Sequence, residues 1–183
     1  MDRRQRKTRE AIFSALIELL SEKTFSQITV EEIIRRADVG RATFYAHFET
    51  KDFLLKALCE ELFDHIFEAQ PGEPKEHLHL FDCDAPDSVF LHLFQHLQKN
   101  DNNILALLSC HDNELFLRYF KTNLTRLIKS QRALFESRRS PELPESFWDA
   151  HISATFAETL RFWIDGGMKE TPEQITRYFM LAV

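Results

Sequence analysis

Hydrophobic residues recur along this chain at the three- and four-residue spacing of amphipathic helices. The first such stripe predicts a helix over about residues 8–23. It consists of Ile12, Phe13, Leu16, Ile17, Leu19 and Leu20. No segment of four or more residues has the alternation of apolar and polar positions that a half-buried strand requires. The pattern therefore predicts an all-α fold.

Glycine and proline residues mark where one predicted helix ends and the next begins. Gly166 and Gly167 stop a helix, because glycine reaches the left-handed conformation at a helix C-terminus without steric cost. Thr171 then offers an N-cap, and a proline follows it in the first turn. The predicted helices after the first cover about residues 30–38, 41–47, 51–70, 86–99, 103–109, 112–136, 144–165 and 172–182.

Two of these helices, at 30–38 and 41–47, are short and are separated by a tight turn. Thr29 and Glu32 have the spacing of a capping box, in which each side chain bonds to the backbone amide of the other residue. Two short helices flanked by longer ones are typical of a helix-turn-helix, whose second helix enters the major groove of DNA. Its first residues are small or basic, as entry into a groove about 12 Å wide requires.

Charge is distributed unevenly along the chain. The whole sequence carries 23 basic and 29 acidic residues and a net charge of −6, whereas residues 1–50 hold 9 basic and 8 acidic residues. This distribution indicates that only the N-terminal part meets a polyanion; a solvated helix end is the alternative. No apolar stretch is long enough to span a membrane. The three widely spaced cysteines favour free thiols in the cytoplasm.

Three segments around the short helices match a known family. They are Thr-Val-Glu-Glu-Ile at 29–33, Ala-Asp-Val-Gly-Arg-Ala-Thr-Phe-Tyr-Ala-His-Phe at 37–48 and Lys-Asp-x-Leu-Leu at 51–55. These segments strongly resemble the TetR family of transcriptional repressors. The resemblance implies contacts to base edges or nearby phosphates from Arg41, Ala42 and Thr43. It implies phosphate contacts from Thr29, Tyr45, His47 and Lys51.

Some of these roles have alternatives in the residues themselves. Arg41 is the strongest candidate, because arginine pairs bidentately with guanine or clamps a phosphate. Tyr45 and His47 have packing against a small hydrophobic core as their alternative role. Lysine at a helix start opposes the helix dipole, which favours an anion contact over a structural role for Lys51. The family usually has glycine at the position of Asp38, so this aspartate must adopt a turn conformation that it tolerates less well.

The C-terminal part offers a subunit interface and a pocket. Segment 147–164 is apolar on more than one face, so a partner subunit is expected to cover one side. Resemblance to the last two helices of TetR regulators implies a homodimer. The predicted interface residues are Phe147, Trp148, Ile152, Phe156, Leu160 and Trp163. The family also implies an effector cavity, with plain core packing as the alternative for each candidate. The candidate lining residues are Phe63, Phe67, Phe90, Phe94, Phe116, Tyr119, Phe120 and Phe156.

A histidine-rich stretch raises the question of a metal site. Its possible ligands are His77, His79, Asp82, Cys83, Asp84, His92 and His96. Against such a site, the Cys-x₂₋₄-Cys spacing of structural zinc sites is absent, and residues 77–84 are expected to form a loop. We therefore expect no metal and no cofactor, with these histidines in a loop and on a solvated helix face.

Together these features predict a cytoplasmic, homodimeric transcription factor with a three-helix helix-turn-helix domain at 1–50 and a helical effector-binding and dimerisation domain at 51–183. It would bind a palindromic double-stranded operator as a repressor and be released by a small-molecule effector of unknown identity. The alternative is a TetR family member that is controlled by a protein partner or that acts as an activator. A helical metalloenzyme is a more remote alternative. The absence of nucleotide-binding glycine loops and of G-x-S-x-G or H-E-x-x-H argues against an enzyme.

Overall fold

Eight α-helices make up the part of the chain that the computed structural model describes, which is residues 3–68, 88–99 and 114–183. They are α1 (Arg3–Glu22), α2 (Val30–Ala37), α3 (Arg41–His47), α4 (Lys51–Glu68), α5 (Val89–Lys99), α6 (Glu114–Ser130), α7 (Glu145–Asp165) and α8 (Pro172–Ala182). These ranges contain no β-strand. The predicted all-α fold is confirmed.

The helix boundaries differ from the predicted ones at three places. Helix α1 begins at Arg3 rather than near residue 8, because the arginines, glutamine and lysine that precede the apolar stripe are good helix formers. Helix α5 begins at Val89, after the predicted start at 86. Helix α6 ends at Ser130, and the chain continues in two 3₁₀ turns, which bring Phe135 into the core. The predicted helix at 103–109 lies outside the described residues.

The local signals at the helix ends are confirmed. The Glu32 amide donates to Thr29 Oγ1 at 3.3 Å and the Thr29 amide donates to Glu32 Oε2 at 2.9 Å, so the capping box of α2 is formed. Thr171 and Gln174 form the same pair of bonds at the start of α8, with proline in the first turn. Gly167 adopts a φ of 75° just after α7, the left-handed conformation that glycine permits.

Helices α1, α2 and α3 enclose a small aromatic core. Phe13 of α1 meets the ring of Phe48 edge-on, with centroids 5.5 Å apart, and Phe44 of α3 is fully buried beside them. Arg36 of α2 forms ion pairs with Glu18 at 3.2 Å and Glu22 at 2.8 Å on α1. The aromatic rings hold α3 by one face, so its opposite face is turned to solvent.

A second core lies among α5, α7 and α8. Its centre is a cluster of mutually contacting rings on these helices and on the 3₁₀ segment. They are Phe90, Phe94, Phe135, Phe156, Trp163 and Phe179. Helix α4 follows the helix-turn-helix directly and packs against both α5 and α6. Helix α4 therefore connects the N-terminal helices to the rest of the described structure.

Asp38 ends α2 in the left-handed conformation, with φ 51° and ψ 48°. This confirms the turn conformation expected where the family has glycine. The left-handed region costs an L-residue about 1–2 kcal/mol, although aspartate tolerates it better than most. The aspartate charge also lies at a helix C-terminus, where the dipole disfavours an anion.

We expect Asp38→Gly to raise the free energy of unfolding by about 0.5–1 kcal/mol, because the left-handed strain disappears at some cost in chain entropy. The measurement is urea unfolding of both proteins. Asp38→Asn serves as a control that removes the charge and keeps the shape, and it separates the dipole effect from the backbone effect. A glycine variant less stable than the parent protein would contradict this account.

Candidate nucleic-acid interface

Helix α3 presents an exposed face that contains most of the predicted DNA contacts. Phe44 is buried on the inner side of the helix, whereas Arg41, Ala42 and Thr43 are exposed on its first turn. Arg41 forms no ion pair or hydrogen bond within the part of the chain that the structure describes. Its guanidinium is therefore available to a partner outside the protomer.

Tyr45 and His47 occupy different environments on the same helix. Tyr45 is 46% exposed, and one edge of its ring rests against Phe44 at a centroid distance of 5.4 Å. His47 is half-buried beside Phe48, at 6.2 Å. The tyrosine therefore packs on Phe44 and is also exposed to solvent, while the histidine lies at the edge of the small core. Phosphate contacts from these two side chains stay predictions.

Thr29 is engaged in capping α2. Its hydroxyl donates to Glu32 Oε2 at 2.9 Å and accepts from the Glu32 amide. Hydrogen bonds from Lys23 and then from Thr29 lower the pKa of Glu32 to about 2, so the carboxylate beside this hydroxyl is negative at neutral pH. A phosphate contact from Thr29 would require a change in these bonds, and the role stays a prediction.

Lys51 has a structural role, which the helix-dipole argument disfavoured, and its phosphate contact stays a prediction. Its Nζ donates to the carbonyl oxygens of Phe25 at 2.9 Å, Ser26 at 3.3 Å and Ile28 at 2.8 Å. The same ammonium lies 4.6 Å from the centre of the Phe25 ring. These three carbonyls match the three protons of the ammonium. Lys51 therefore ties the start of α4 to the connection between α1 and α2.

We expect Lys51→Met to lower the free energy of unfolding by about 1.5–3 kcal/mol, the usual loss for hydrogen bonds to a charged group. If the structural role is the whole role of Lys51, the salt dependence of DNA affinity should stay unchanged, because no phosphate contact is lost. Urea unfolding and DNA titrations at several salt concentrations measure the two quantities.

Lys56→Met is the control for this substitution. Lys56 lies on the same helix in a solvent-facing pair with Glu60 at 3.5 Å, so its loss should change stability by less than about 0.5 kcal/mol. If Lys51 were instead a phosphate ligand, the slope of log affinity against log salt would fall by about 1.8 for a dimer while stability stayed constant. That result would contradict the structural role.

Arg9 is a connecting residue that sequence reasoning missed. Its guanidinium donates to Glu61 of α4 at 2.8 and 3.0 Å and lies 4.9 Å from the centre of the Phe13 ring and 5.0 Å from that of Phe48. The i, i+4 spacing of Arg9 and Phe13 was the available signal. The partner Glu61 lies 52 residues away in sequence, so only the fold reveals it. Arg9 joins the helix-turn-helix to the middle of α4.

The predicted interface on α7 faces inward for most of its residues. Five of the six side chains are buried within the protomer itself, and placing them at a subunit surface was wrong. They are Trp148, Ile152, Phe156, Leu160 and Trp163. Phe147 is the exception and is 57% exposed. Apolar residues occur on both sides of α7, and the pattern alone did not show which side the protomer's own core covers.

A different set of residues on α7 and α8 is exposed to solvent. We name this surface the outer face, and it consists of Phe147, Ala154, Ala157 and Phe162 on α7 with Tyr178 and Leu181 on α8. Phe162 is 56% exposed and Leu181 is 71% exposed. The exposed side of α7 is thus mixed, because these apolar side chains lie among charged ones such as the Arg161–Glu158 ion pair at 2.6 Å.

The candidate effector residues pack against one another. Six of these rings are buried, and Phe67 and Tyr119 are half-buried. Phe63 meets Phe120 at 5.2 Å between α4 and α6, while Phe94 stacks on Phe156 at 4.8 Å between α5 and α7. They belong to the core of the described residues, and a role in lining a cavity stays a prediction.

Three histidines are buried between α4 and α5. His92 and His96 of α5 are 1% and 2% exposed, so the expectation of a solvated helix face was wrong for both. His65 of α4 joins them, and sequence reasoning missed it. Burial, and after it the neighbouring His65, His92 and Lys99, lowers the pKa of His96 to about 3. Residues 77–84 of the histidine-rich stretch lie outside the described residues.

Comparisons with known proteins agree with this architecture. The family model described as "Bacterial regulatory proteins, tetR family" matches residues 12–58, and the one described as "Transcriptional regulator C-terminal region" matches residues 84–182. A TetR transcriptional regulator from Streptococcus agalactiae 2603V superimposes with a TM-score of 0.73 at 35% identity. This alignment covers 100% of this chain and 96% of that one.

Two more distant proteins complete the comparison. The HTH-type regulator YxbF of Bacillus subtilis (strain 168), itself uncharacterised, is 26% identical over 98% of this chain, which spans 45% of that relative's length. FadR of Bacillus subtilis, solved with stearoyl-CoA, shares the fold at a TM-score of 0.57 and 21% identity, with 93% and 94% of the two chains covered. Among the described residues, no helix is long and apolar enough to cross a membrane. This family consists of regulators and not of enzymes, and the chain belongs to the TetR family of transcriptional regulators.

Proposed function

We propose that this protein binds a near-palindromic DNA operator as a homodimer, represses transcription from it, and releases it when an effector binds. Residues 1–50 would read the DNA, and residues 51–183 would form the dimer and receive the effector. Binding to DNA would place it in the cytoplasm. The observation that carries the proposal is the exposed face of α3, where Arg41 has no partner within the described residues and Phe44 fixes the helix from behind.

The outer face supports the dimer. Large apolar side chains such as Phe147, Phe162 and Leu181 are exposed on two consecutive helices, where a monomer would leave them in water. Small residues at Ala154 and Ala157 on the same side of α7 allow a second helix to approach closely. A two-fold axis through this surface would place identical helices against each other and leave α3 free in both subunits.

Release by an effector is supported by the position of α4. This helix starts at the Lys51 contacts, is joined to α1 through Arg9 and Glu61, and forms an ion pair from Asp64 to Arg126 of α6 at 2.6 Å. An effector that favours one position of α4 would change the separation of the two α3 helices and so the fit to the operator.

The test is selection of bound DNA from a random pool by the purified protein. Two related half-sites with centres about one helical turn, or a multiple of it, apart are expected from a symmetric dimer. A reporter gene under the selected operator distinguishes a repressor from an activator. Recovery of single half-sites, or of no preferred sequence, would contradict the proposal.

A further inference from the structure

The buried histidines form a cluster with converging ring nitrogens, which we name the histidine cluster: His65, His92 and His96. His96 Nε2 lies 3.0 Å from His65 Nε2 and 3.0 Å from His92 Nε2. A ligand atom from each ring can be chosen such that all three lie within 4.8 Å of one another. His92 and His96 are one turn apart on the same face of α5, and His65 approaches from α4.

Hydrogen bonding alone accounts poorly for this geometry. In a neutral imidazole, each nitrogen has either one proton or one lone pair in the ring plane. His96 Nε2 can therefore form a good hydrogen bond along one of its two 3.0 Å contacts, but not along both. A cation that receives a lone pair from each nitrogen removes the conflict.

Two of the three nitrogen separations also agree with coordination, and a bound ion would draw the third pair, which lies within 4.8 Å, closer together. Two nitrogens bound to one zinc ion at about 2.0–2.1 Å are about 3.3 Å apart in a tetrahedral arrangement and about 2.9 Å apart at a right angle. The observed 3.0 Å separations lie between these values. Imidazole nitrogen is a preferred ligand of zinc, copper, nickel and iron, and three protein ligands leave a further position open.

We propose that His65, His92 and His96 bind one divalent transition-metal ion of the zinc type, and that this ion is an effector of DNA binding. The second half rests on the proposed function, whereas the first does not. The coupling route is α4, because His65 lies one turn beyond Glu61, the residue that holds Arg9 of α1. An ion that draws α4 towards α5 would therefore act on the helix-turn-helix.

The direct test is metal binding by the full chain after chelator treatment and dialysis. We expect one Co²⁺ per chain with ligand-field absorption of nitrogen coordination, displacement of Co²⁺ by Zn²⁺, and a higher Tm with metal. These readouts use the unaltered protein, so they do not depend on whether a variant folds. Absence of a stoichiometric site in this protein would overturn the proposal and leave a hydrogen-bonded histidine cluster.

Variants then assign the ligands. His65→Gln and His96→Gln should each weaken metal affinity by more than the roughly 10–100-fold that changes around a site cost. His151→Gln is the matched control, because His151 is exposed on α7, and it should leave the affinity unchanged. The double variant His77→Ala, His79→Ala should also keep the ion. Loss of metal in that double variant, with retention in His65→Gln and His96→Gln, would overturn the assignment.

Operator titrations with and without metal test the regulatory half. We expect metal to change the operator affinity of the parent protein and not that of His65→Gln, and the operator to change metal affinity by the same factor. Equal operator affinity with and without metal would overturn the effector role while leaving the site intact. Failure to bind any operator would instead reject the proposed function, and the Co²⁺ measurement would be unaffected.

Discussion

We expect Arg41→Ala to weaken operator binding by about 2–6 kcal/mol per dimer, which is roughly 30-fold or more in affinity. The reason is that a bidentate arginine–guanine pair contributes about 1–3 kcal/mol of discrimination, and a symmetric dimer has two copies. Arg41 is exposed at the first position of α3 and has no competing partner among the described residues. Its loss should therefore lower the affinity for the operator and leave the free energy of unfolding of the free protein unchanged.

The measurement is affinity for the operator and its single-base variants at two or more salt concentrations. If Arg41 reads a base, the Arg41→Ala variant should lose its preference for one base at one symmetric position of the operator. A phosphate clamp predicts equal weakening of all variants and a salt slope reduced by about 1.8. That second outcome would contradict base reading by Arg41. Sequence specificity would then come from Ala42, Thr43 or the shape of the DNA.

Two substitutions control for nonspecific effects on binding. Arg118→Ala removes an exposed arginine from α6, outside the helix-turn-helix, and should change operator affinity little. Tyr45→Phe removes one neutral donor on α3, so it should weaken all sequences alike with little change in the salt slope. A large loss of affinity in Arg118→Ala would indicate that net charge, and not position, governs binding.

Local features of the fold could be predicted from the sequence because their causes lie within a few residues. The capping box of Thr29 and Glu32 spans one helical turn. The left-handed conformation of Gly167 is predicted by the residue type, because glycine adopts it without steric cost. The family resemblance rests on the same short segments. Asp38 departs from the family pattern, yet its left-handed conformation is the one that the pattern required.

Features that depend on distant residues were predicted incorrectly or missed. Lys51 finds its acceptors 23 to 26 residues earlier in the chain, so helix-dipole reasoning about its own helix did not reveal this structural role. His65 lies 31 residues from His96, and only the packing of α4 on α5 brings the two rings together. Helix α7 carries apolar residues on two sides, and only tertiary packing decides which side becomes core.

The orientation of α7 leads to the second large prediction, in which two adjacent residues give opposite results. We expect Phe162→Glu to stay folded and dissociate the dimer, because Phe162 is on the outer face and a two-fold interface would bring two new carboxylates into one apolar contact. A monomer should then lose most operator affinity, since it engages a single half-site. Sedimentation velocity and operator titration measure the two effects.

Trp163→Glu should instead unfold the protein. Trp163 is fully buried, packs edge-on against Phe94 at 5.6 Å and donates from Nε1 to the Glu170 carbonyl at 2.8 Å. An uncompensated carboxylate in this core costs at least about 4 kcal/mol, a large share of the roughly 5–15 kcal/mol that stabilises a typical domain. Leu117→Glu, at an exposed position on α6, is the control for both variants and should stay folded and dimeric. A parent protein that sediments as a monomer at micromolar concentration, or a dimeric Phe162→Glu, would refute the outer face as the interface.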